Sequence, residues 1–289
     1  MSCTGFVCIG ELLWDVFDDT EVLGGAPASV AYHLSKLGVA AQLVSRVGSD
    51  ARGAKALTTL AQAGLDTALI QIDPSLPTGT ARVALDADGH AAYRFETPAA
   101  WDAIEALRGE IPGSVVFGSL GQRDGRSRST IRAVANAATR CVFDVNLRPP
   151  HDDRNLVIES LQLATLVKVN ADELRTIAAW LSLPTRERDF AAAIRHNFGT
   201  EFICVTRGSE GAALYDATRH YEAAASAIVP VDTVGAGDAF LAALLAAWSR
   251  NLGWPEALRQ ANGLAAFVAS QRGAMPEYDA LAQKFAEAQ

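Results

Sequence analysis

The stretch Asp232-Thr233-Val234-Gly235-Ala236-Gly237-Asp238 lies between a short apolar run, Ala227-Ile228-Val229-Pro230-Val231, and a strong helix former, Ala239 to Trp248. The apolar run reads as an extended segment, so a small-residue loop opens a helix and ends in a carboxylate. The first amides of a helix have no intrahelical acceptor, and the helix dipole favours negative charge at that end. Gly235 and Gly237 carry no Cβ and let a phosphate approach the main chain. A carboxylate at Asp238 would repel a resident anion, but it suits a hydroxyl that loses its proton while a phosphoryl group arrives. Alone, the same residues are equally a glycine turn with an acidic N-terminal helix charge, a feature that stabilises by about 0.3–1 kcal/mol.

Outward from this loop, strand-like and helix-like segments alternate. Apolar strands are predicted at Phe6–Gly10, Ala41–Val47, Ser114–Phe117, Cys141–Val145, Leu166–Val169 and Phe202–Val205. Helices are predicted at Ala28–Leu37, Ala51–Ala63, Arg126–Thr139, His151–Leu161, Ala171–Leu181 and Asp189–Phe198. Short continuous apolar strands between helices predict an α/β fold, a doubly wound, mostly parallel sheet with helices on both faces. Thr78–Asp86 and His90–Glu96, joined by Ala87-Asp88-Gly89, break that rhythm as a hairpin. An accessory flap that closes over a ligand is favoured over an edge hairpin of the main sheet. Glu11–Leu23, with Asp15, Asp18 and Asp19, supplies further flap strands. The expected organisation is one domain over 1–289 with β-lid insertions at about 11–23 and 78–96.

Composition narrows the function classes. With 49% hydrophobic and 20% charged residues among 289, the chain is of ordinary globular type. A net charge of -8 argues against a nucleic-acid-binding surface, which needs a basic stripe. No run of about eighteen apolar residues predicts a membrane span, and the N-terminus lacks the pattern of a signal peptide. Cys3, Cys8, Cys141 and Cys204 fit no paired zinc spacing, and the last three fall in apolar runs as small buried hydrophobes. These features together predict a reduced, cytoplasmic protein. Neither a G-x-x-x-x-G-K-[ST] loop nor an HExxH pair occurs, and the five histidines show no metal spacing.

Three further constellations stand at helix starts or strand ends. Gly24-Gly25-Ala26-Pro27-Ala28-Ser29 opens a helix, either to admit a ligand close to the backbone or simply as a turn and cap with Pro27 in the first turn. Asn170 and Glu173, in Lys168-Val169-Asn170-Ala171-Asp172-Glu173, share a helix face and could hold the water shell of Mg²⁺. The same spacing is a helix cap with a reciprocal glutamate, which is the stronger of the two when seen alone. Thr206-Arg207-Gly208-Ser209-Glu210-Gly211 is a polar turn at a strand end, where ligands bind in open α/β sheets, or an ordinary hairpin turn.

Taken in order, these segments resemble the ribokinase-like, or PfkB, family of carbohydrate kinases, and the likeness spans nearly the whole chain. Gly24 to Ala31 is similar to the family's N-terminal signature, and Asp232–Asp238 to its C-terminal one. Asp144-Val145-Asn146-Leu147-Arg148-Pro149 resembles the D-x-N-x-R element of the fructokinase branch; Asn170 with Glu173 matches N-x-x-E. Thr206-Arg207-Gly208 resembles the nucleotide turn. Gly10 to Asp15 and the run from Phe95 to Asp102 also look like bacterial fructokinases.

The resemblance implies an ATP-dependent sugar kinase, with D-fructose as the first expectation and another small sugar or sugar acid, such as ribose or 2-keto-3-deoxygluconate, as the second. A non-catalytic sugar-binding protein on the same fold is the rival from another class. It implies that Asp238 is the catalytic base and that the amides of Gly235, Ala236 and Gly237 form an anion hole for the γ-phosphoryl. Asn170 and Glu173 would organise Mg²⁺ through water; Thr206 and Gly208 would line the ATP site, with Asn262 near the adenosine. Asp15, Gly25 and Arg148 would contact the sugar. Asp232, Val234 and Gly273 match the positions that hold a monovalent cation, K⁺, in family members. A homodimer through the β lid is a further implication. One position departs from the pattern: Ser29 stands where the family usually has asparagine, and serine cannot offer the same donor and acceptor pair.

Overall fold

The computed structural model describes residues 5–18, 20–85, 91–107 and 113–278. In chain order the elements are β1 (Phe6–Ile9), β2 (Leu13–Val16), β3 (Glu21–Gly24), α1 (Ala26–Lys36), β4 (Ala41–Gly48), α2 (Ala51–Gln62) and β5 (Ile70–Asp73). The lid strands β6 (Gly79–Leu85) and β7 (Ala91–Phe95) follow, then β8 (Ser114–Gly118), α3 (Gly125–Ala137), β9 (Arg140–Asp144), α4 (Arg154–Leu163) and β10 (Leu166–Asn170). The chain continues through α5 (Ala171–Leu181), α6 (Glu187–Phe198), β11 (Phe202–Thr206), β12 (Ala212–Tyr215), β13 (His220–Ala223), α7 (Ala236–Ser249) and α8 (Trp254–Ala269).

Nine strands form the main sheet in the order β13-β12-β11-β10-β9-β8-β1-β4-β5. From β11 to β5 every pairing is parallel, while β12 and β13 run antiparallel at one edge. The order reverses between β8 and β1, and ligands of open α/β sheets gather outside the carboxyl ends of strands near such a point. Alternation along the strands splits the interior in two. Phe6, Cys8, Val116, Val142, Leu166 and Cys204 pack with α1, α2, α7 and α8. Val7, Ile9, Val115, Phe117, Phe143 and Val167 pack with α3 to α6 on the other face. Both faces are thus covered, which is why these strands read as continuous apolar runs.

The rhythm break is a separate four-stranded sheet, β3-β2-β6-β7. Its β2–β6 pair is parallel and the flanking pairs are antiparallel. Asp19 and the hairpin turn at 86–90 lie outside the described residues. A buried clasp joins this sheet to the main body. Arg123 holds Asp102 through Nε and Nη2 at 2.8 and 2.9 Å and donates to the Glu96 carbonyl at 2.9 Å. Its guanidinium also stacks 3.9 Å from the centre of the Trp101 ring.

Several segments differ from the sequence expectation, in which β5, β12 and α8 have no counterpart. Ala227–Val231 forms no strand; it is a loop with Val229 86% exposed, tied back by Val231 N–H to the Ala269 carbonyl at 2.8 Å. Its neighbouring strand edge, β13, is a polar segment, His220–Ala223, whose half-exposed alternation gives no apolar run to read. The helix expected from His151 begins at Arg154, because Asp153 caps it through Asn155 and Leu156 N–H. Among the described residues no helix is long and apolar enough to cross a membrane.

Candidate active site

At the carboxyl ends of β1, β9, β10 and β11 a cavity of about 360 Å³ opens between the sheet and the lid. Its base is the loop that opens α7. Gly235 sits at φ 77 as the N-cap and has no side chain to cap the helix. The Gly235 carbonyl accepts the Ala239 amide at 2.9 Å, whereas the Ala236 amide reaches only the Thr233 carbonyl, at 3.3 Å. This leaves the first turn open to an anion in the way a helix N-terminus favours. Asp238, half-buried in that turn, faces the cavity. Burial, reinforced by Asp144, pushes its carboxyl up to about 7, against the pull of Lys168 and Arg148. A carboxylate of that basicity takes a hydroxyl proton near neutral pH.

Glu173 adopts the reciprocal cap geometry. Its Oε2 accepts the Asn170 amide at 2.8 Å and Oε1 the Leu147 amide at 2.9 Å, while Asn170 Oδ1 accepts the Asp172 and Glu173 amides. Burial raises its pKa and Lys168 opposes the shift. Both carboxylate oxygens already hold amides, so the pair suits a hydrated Mg²⁺ reached through water and not direct ligation. Both residues line the cavity, and the cap and metal roles are compatible.

The opposite wall belongs to the lid and α1. Asp15 on β2 is 8% exposed, and burial raises its carboxyl to about 6. Gly25, at φ 111, caps α1, and a Cβ there would collide with the Glu11 carbonyl oxygen. Ser29 is fully buried, and its Oγ has no hydrogen-bond partner among the described residues. Arg148 Nη1 donates to the Leu147 carbonyl at 3.0 Å, and its guanidinium lies 5.7 Å from the Tyr93 ring of β7. Tyr93 and Phe95 both line the cavity, so the lid lies against it.

Asp232 joins two loops: Oδ1 accepts the Val234 amide and Oδ2 the Gly273 amide, each at 3.0 Å. The three positions expected around a monovalent cation are therefore adjacent. With both oxygens engaged, Asp232 fits as the organiser of surrounding carbonyls. Thr206 lines the cavity, but Gly208 and Asn262 do not. Gly208 sits in the β11–β12 hairpin turn, and Asn262 Nδ2 donates to the Ala223 and Ala224 carbonyls at 2.9 and 3.1 Å.

Two charged groups in the cavity carried no site role in the sequence analysis. Glu11 is 3% exposed, with Oε2 unpartnered among the described residues, and burial raises its carboxyl to about 7. Lys168 is 6% exposed and bonds both Asp144 oxygens, at 2.8 and 3.0 Å. A charged residue inside an apolar strand, or just beyond one, is the signal that finds both.

A carboxylate at an uncapped helix start, outside the carboxyl ends of a parallel sheet, is an arrangement that suits phosphoryl transfer to a hydroxyl. The sequence profile described as pfkB family carbohydrate kinase matches residues 3–280. The chain is 31% identical to a fructokinase of Klebsiella pneumoniae, covering 82% of each protein. It is 28% identical to aminoimidazole riboside kinase of Salmonella typhimurium, over 87% of this chain and 83% of that one. Among solved structures, fructokinase of Vibrio cholerae O395 with fructose, ADP and calcium superposes with a TM-score of 0.83 at 25% identity, over 95% of this chain and 96% of the other. The chain belongs to the pfkB family of carbohydrate kinases and is an ATP-dependent phosphotransferase.

Proposed function

We propose that this protein transfers the γ-phosphoryl group of ATP to a primary hydroxyl of D-fructose. The observation that carries the transfer step is Asp238, raised to about 7, standing in the open first turn of α7. In this mechanism the hydroxyl oxygen attacks the γ-phosphorus as its proton passes to Asp238. The bond from that phosphorus to the bridging oxygen breaks, and ADP leaves. Amides of Gly235, Ala236 and Gly237 receive the charge of the transferring group, where catalysis is mostly positioning and electrostatics. Asp15, Gly25, Ser29 and Arg148 orient the sugar, and the lid residues Tyr93 and Phe95 exclude water. Thr206, Gly208 and Asn262 serve the nucleotide side. Mg²⁺, held through water by Asn170 and Glu173, would neutralise the β- and γ-phosphate oxygens; K⁺ beside Asp232, Val234 and Gly273 would add positive charge behind the loop. The protein would work in the cytoplasm, as a pair of copies joined through their lids, which a column-measured mass in solution tests.

Fructose is favoured by the fructokinase relatives. A second acceptor class, a riboside, is favoured by the aminoimidazole riboside kinase relative together with the short, unpartnered Ser29 side chain. Phosphate transfer from ATP across D-fructose, D-ribose, 2-keto-3-deoxygluconate and aminoimidazole riboside separates them. Lack of transfer to every acceptor would leave the non-catalytic binding protein.

Ser29→Asn gives a finer test. If fructose binds in the family's pose, serine leaves one hydrogen-bonding arm missing, worth about 0.5–1.5 kcal/mol, or roughly threefold to tenfold in affinity. The variant is expected to lower the fructose KM by that factor without altering the ATP requirement. Loss of activity toward a better, different acceptor would instead show that Ser29 makes room for that acceptor.

Glu173→Gln should raise the Mg²⁺ concentration for half-maximal rate about tenfold, the lower end of what outer-shell substitutions cost. One amide then loses its carboxylate acceptor and the water shell loses a charge. An unchanged Mg²⁺ titration would restrict Glu173 to capping α5.

A further inference from the structure

The ion pair between Lys168 and Asp144 has a position that a purely structural bridge does not need. Lys168 on β10 and Asp144 on β9 are register partners in the parallel sheet, so both side chains leave the same face. That face looks toward α7. A Cβ built on Gly237 would lie 3.5 Å from Lys168 Nζ, which places the ammonium beside the loop that opens α7. Two of its three N–H groups serve Asp144, and the third has no protein acceptor among the described residues. Lys168 lines the cavity together with Asp238, Gly235 and Gly237. An ammonium fixed at this point, in a buried setting, acts on charge more strongly than one in water.

We propose that Lys168 is a catalytic residue that donates its remaining N–H to the transferring phosphoryl group, with Asp144 as the positioning residue that aims it. This rests on the kinase reading above. As the acceptor oxygen bonds to the γ-phosphorus and the bond to ADP breaks, the acceptor proton goes to Asp238. The charge on the equatorial phosphoryl oxygens is then met from one side by the α7 amides and from the other by Lys168. The ammonium transfers no proton in this step; it stays charged throughout.

The test is the tightening of ADP binding by aluminium fluoride, a mimic of the transferring phosphoryl group, measured with Mg²⁺ and whichever sugar of the panel the parent protein phosphorylates fastest. Lys168→Met alone strands a buried carboxylate and can fail to fold, so the double variant Asp144→Asn with Lys168→Met is measured beside it. The double variant is expected to keep ADP and sugar affinities within about threefold of the parent. Its turnover should fall by about 10²–10³-fold, the usual loss for one positioned donor. Aluminium fluoride should no longer tighten ADP. Tightening retained in the double variant, whatever the turnover, would reduce the pair to a structural bridge and overturn the proposal. A parent protein with neither turnover nor tightening for any sugar would instead overturn the kinase reading, and this proposal with it.

Discussion

Asp238→Asn is expected to lower turnover about 10²–10⁴-fold, the usual contribution of a positioned general base, while ADP and sugar still bind. Asparagine keeps the shape of the side chain and its place in the first turn of α7, so the open amides stay where they are. What it removes is the capacity to take a proton. The pH profile distinguishes this from a loss of packing. Burial and the neighbouring Asp144 raise the Asp238 carboxyl to about 7, and Lys168 and Arg148 pull the other way. Because the base must be deprotonated to work, kcat of the parent should climb with pH through about 7 and level off above it. Glu11, raised to about 7, and Asp15, raised to about 6, titrate in the same range from the sugar side of the cavity. Their protonation alters sugar binding and should appear in KM. The residual activity of Asp238→Asn should therefore lose the limb in kcat. Profiles between about pH 5 and 9 for both proteins make the comparison; near-parental turnover would remove Asp238 from the chemistry.

Much of this site was legible because strand ends and glycine loops have local causes. Asn170 and Glu173 sit where a cap must sit, and Gly235 and Gly25 mark places where the backbone takes positive φ. The continuous apolar strands announced a sheet covered on both sides. Lys168 and Asp144 were harder to assign. Their pairing depends on the register between two strands separated by α4, and one chain read in order carries no register between distant strands. The same holds for Glu11, whose buried Oε2 is brought beside Gly121, a residue far along the chain. Asn262 shows the opposite limit. The family likeness ties it to the nucleotide, but its amide serves the carbonyls of Ala223 and Ala224, a contact fixed by α8 packing beside β13. The exposed loop through Val229 misled for a simple reason: a short apolar run looks alike whether a sheet covers it or not.

Gly235→Ala carries the second large effect, through the backbone. Gly235 holds φ 77, a left-handed value that costs an L side chain about 1–2 kcal/mol. Space is the harder limit. A Cβ at this position would stand 2.5 Å from both Cα and Cβ of Ala274 and 3.0 Å from its carbonyl oxygen. No rotamer change relieves contacts with main chain, so one of the two loops must move. Asp232 binds them together through the Val234 and Gly273 amides, and His33 Nε2, buried, sits 2.9 Å from the Ala274 carbonyl oxygen. Ala274 is thus fixed from behind, and the loop carrying the first α7 amides must give way. A displacement of about 1 Å at a reacting centre can cost about 10²-fold, and loss of an aligned amide about 10²–10³-fold. Turnover of Gly235→Ala is expected to fall by about 10²–10³-fold. The sugar KM should change only a few-fold, because Asp15, Gly25 and Ser29 belong to other elements. Gly125→Ala is the control: none of the described residues lies within 4 Å of its Cβ position, and its backbone is not left-handed. That variant should match the parent in turnover and melting temperature. If Gly235→Ala also turned over at the parental rate, the open turn of α7 would not be where the phosphoryl group is held.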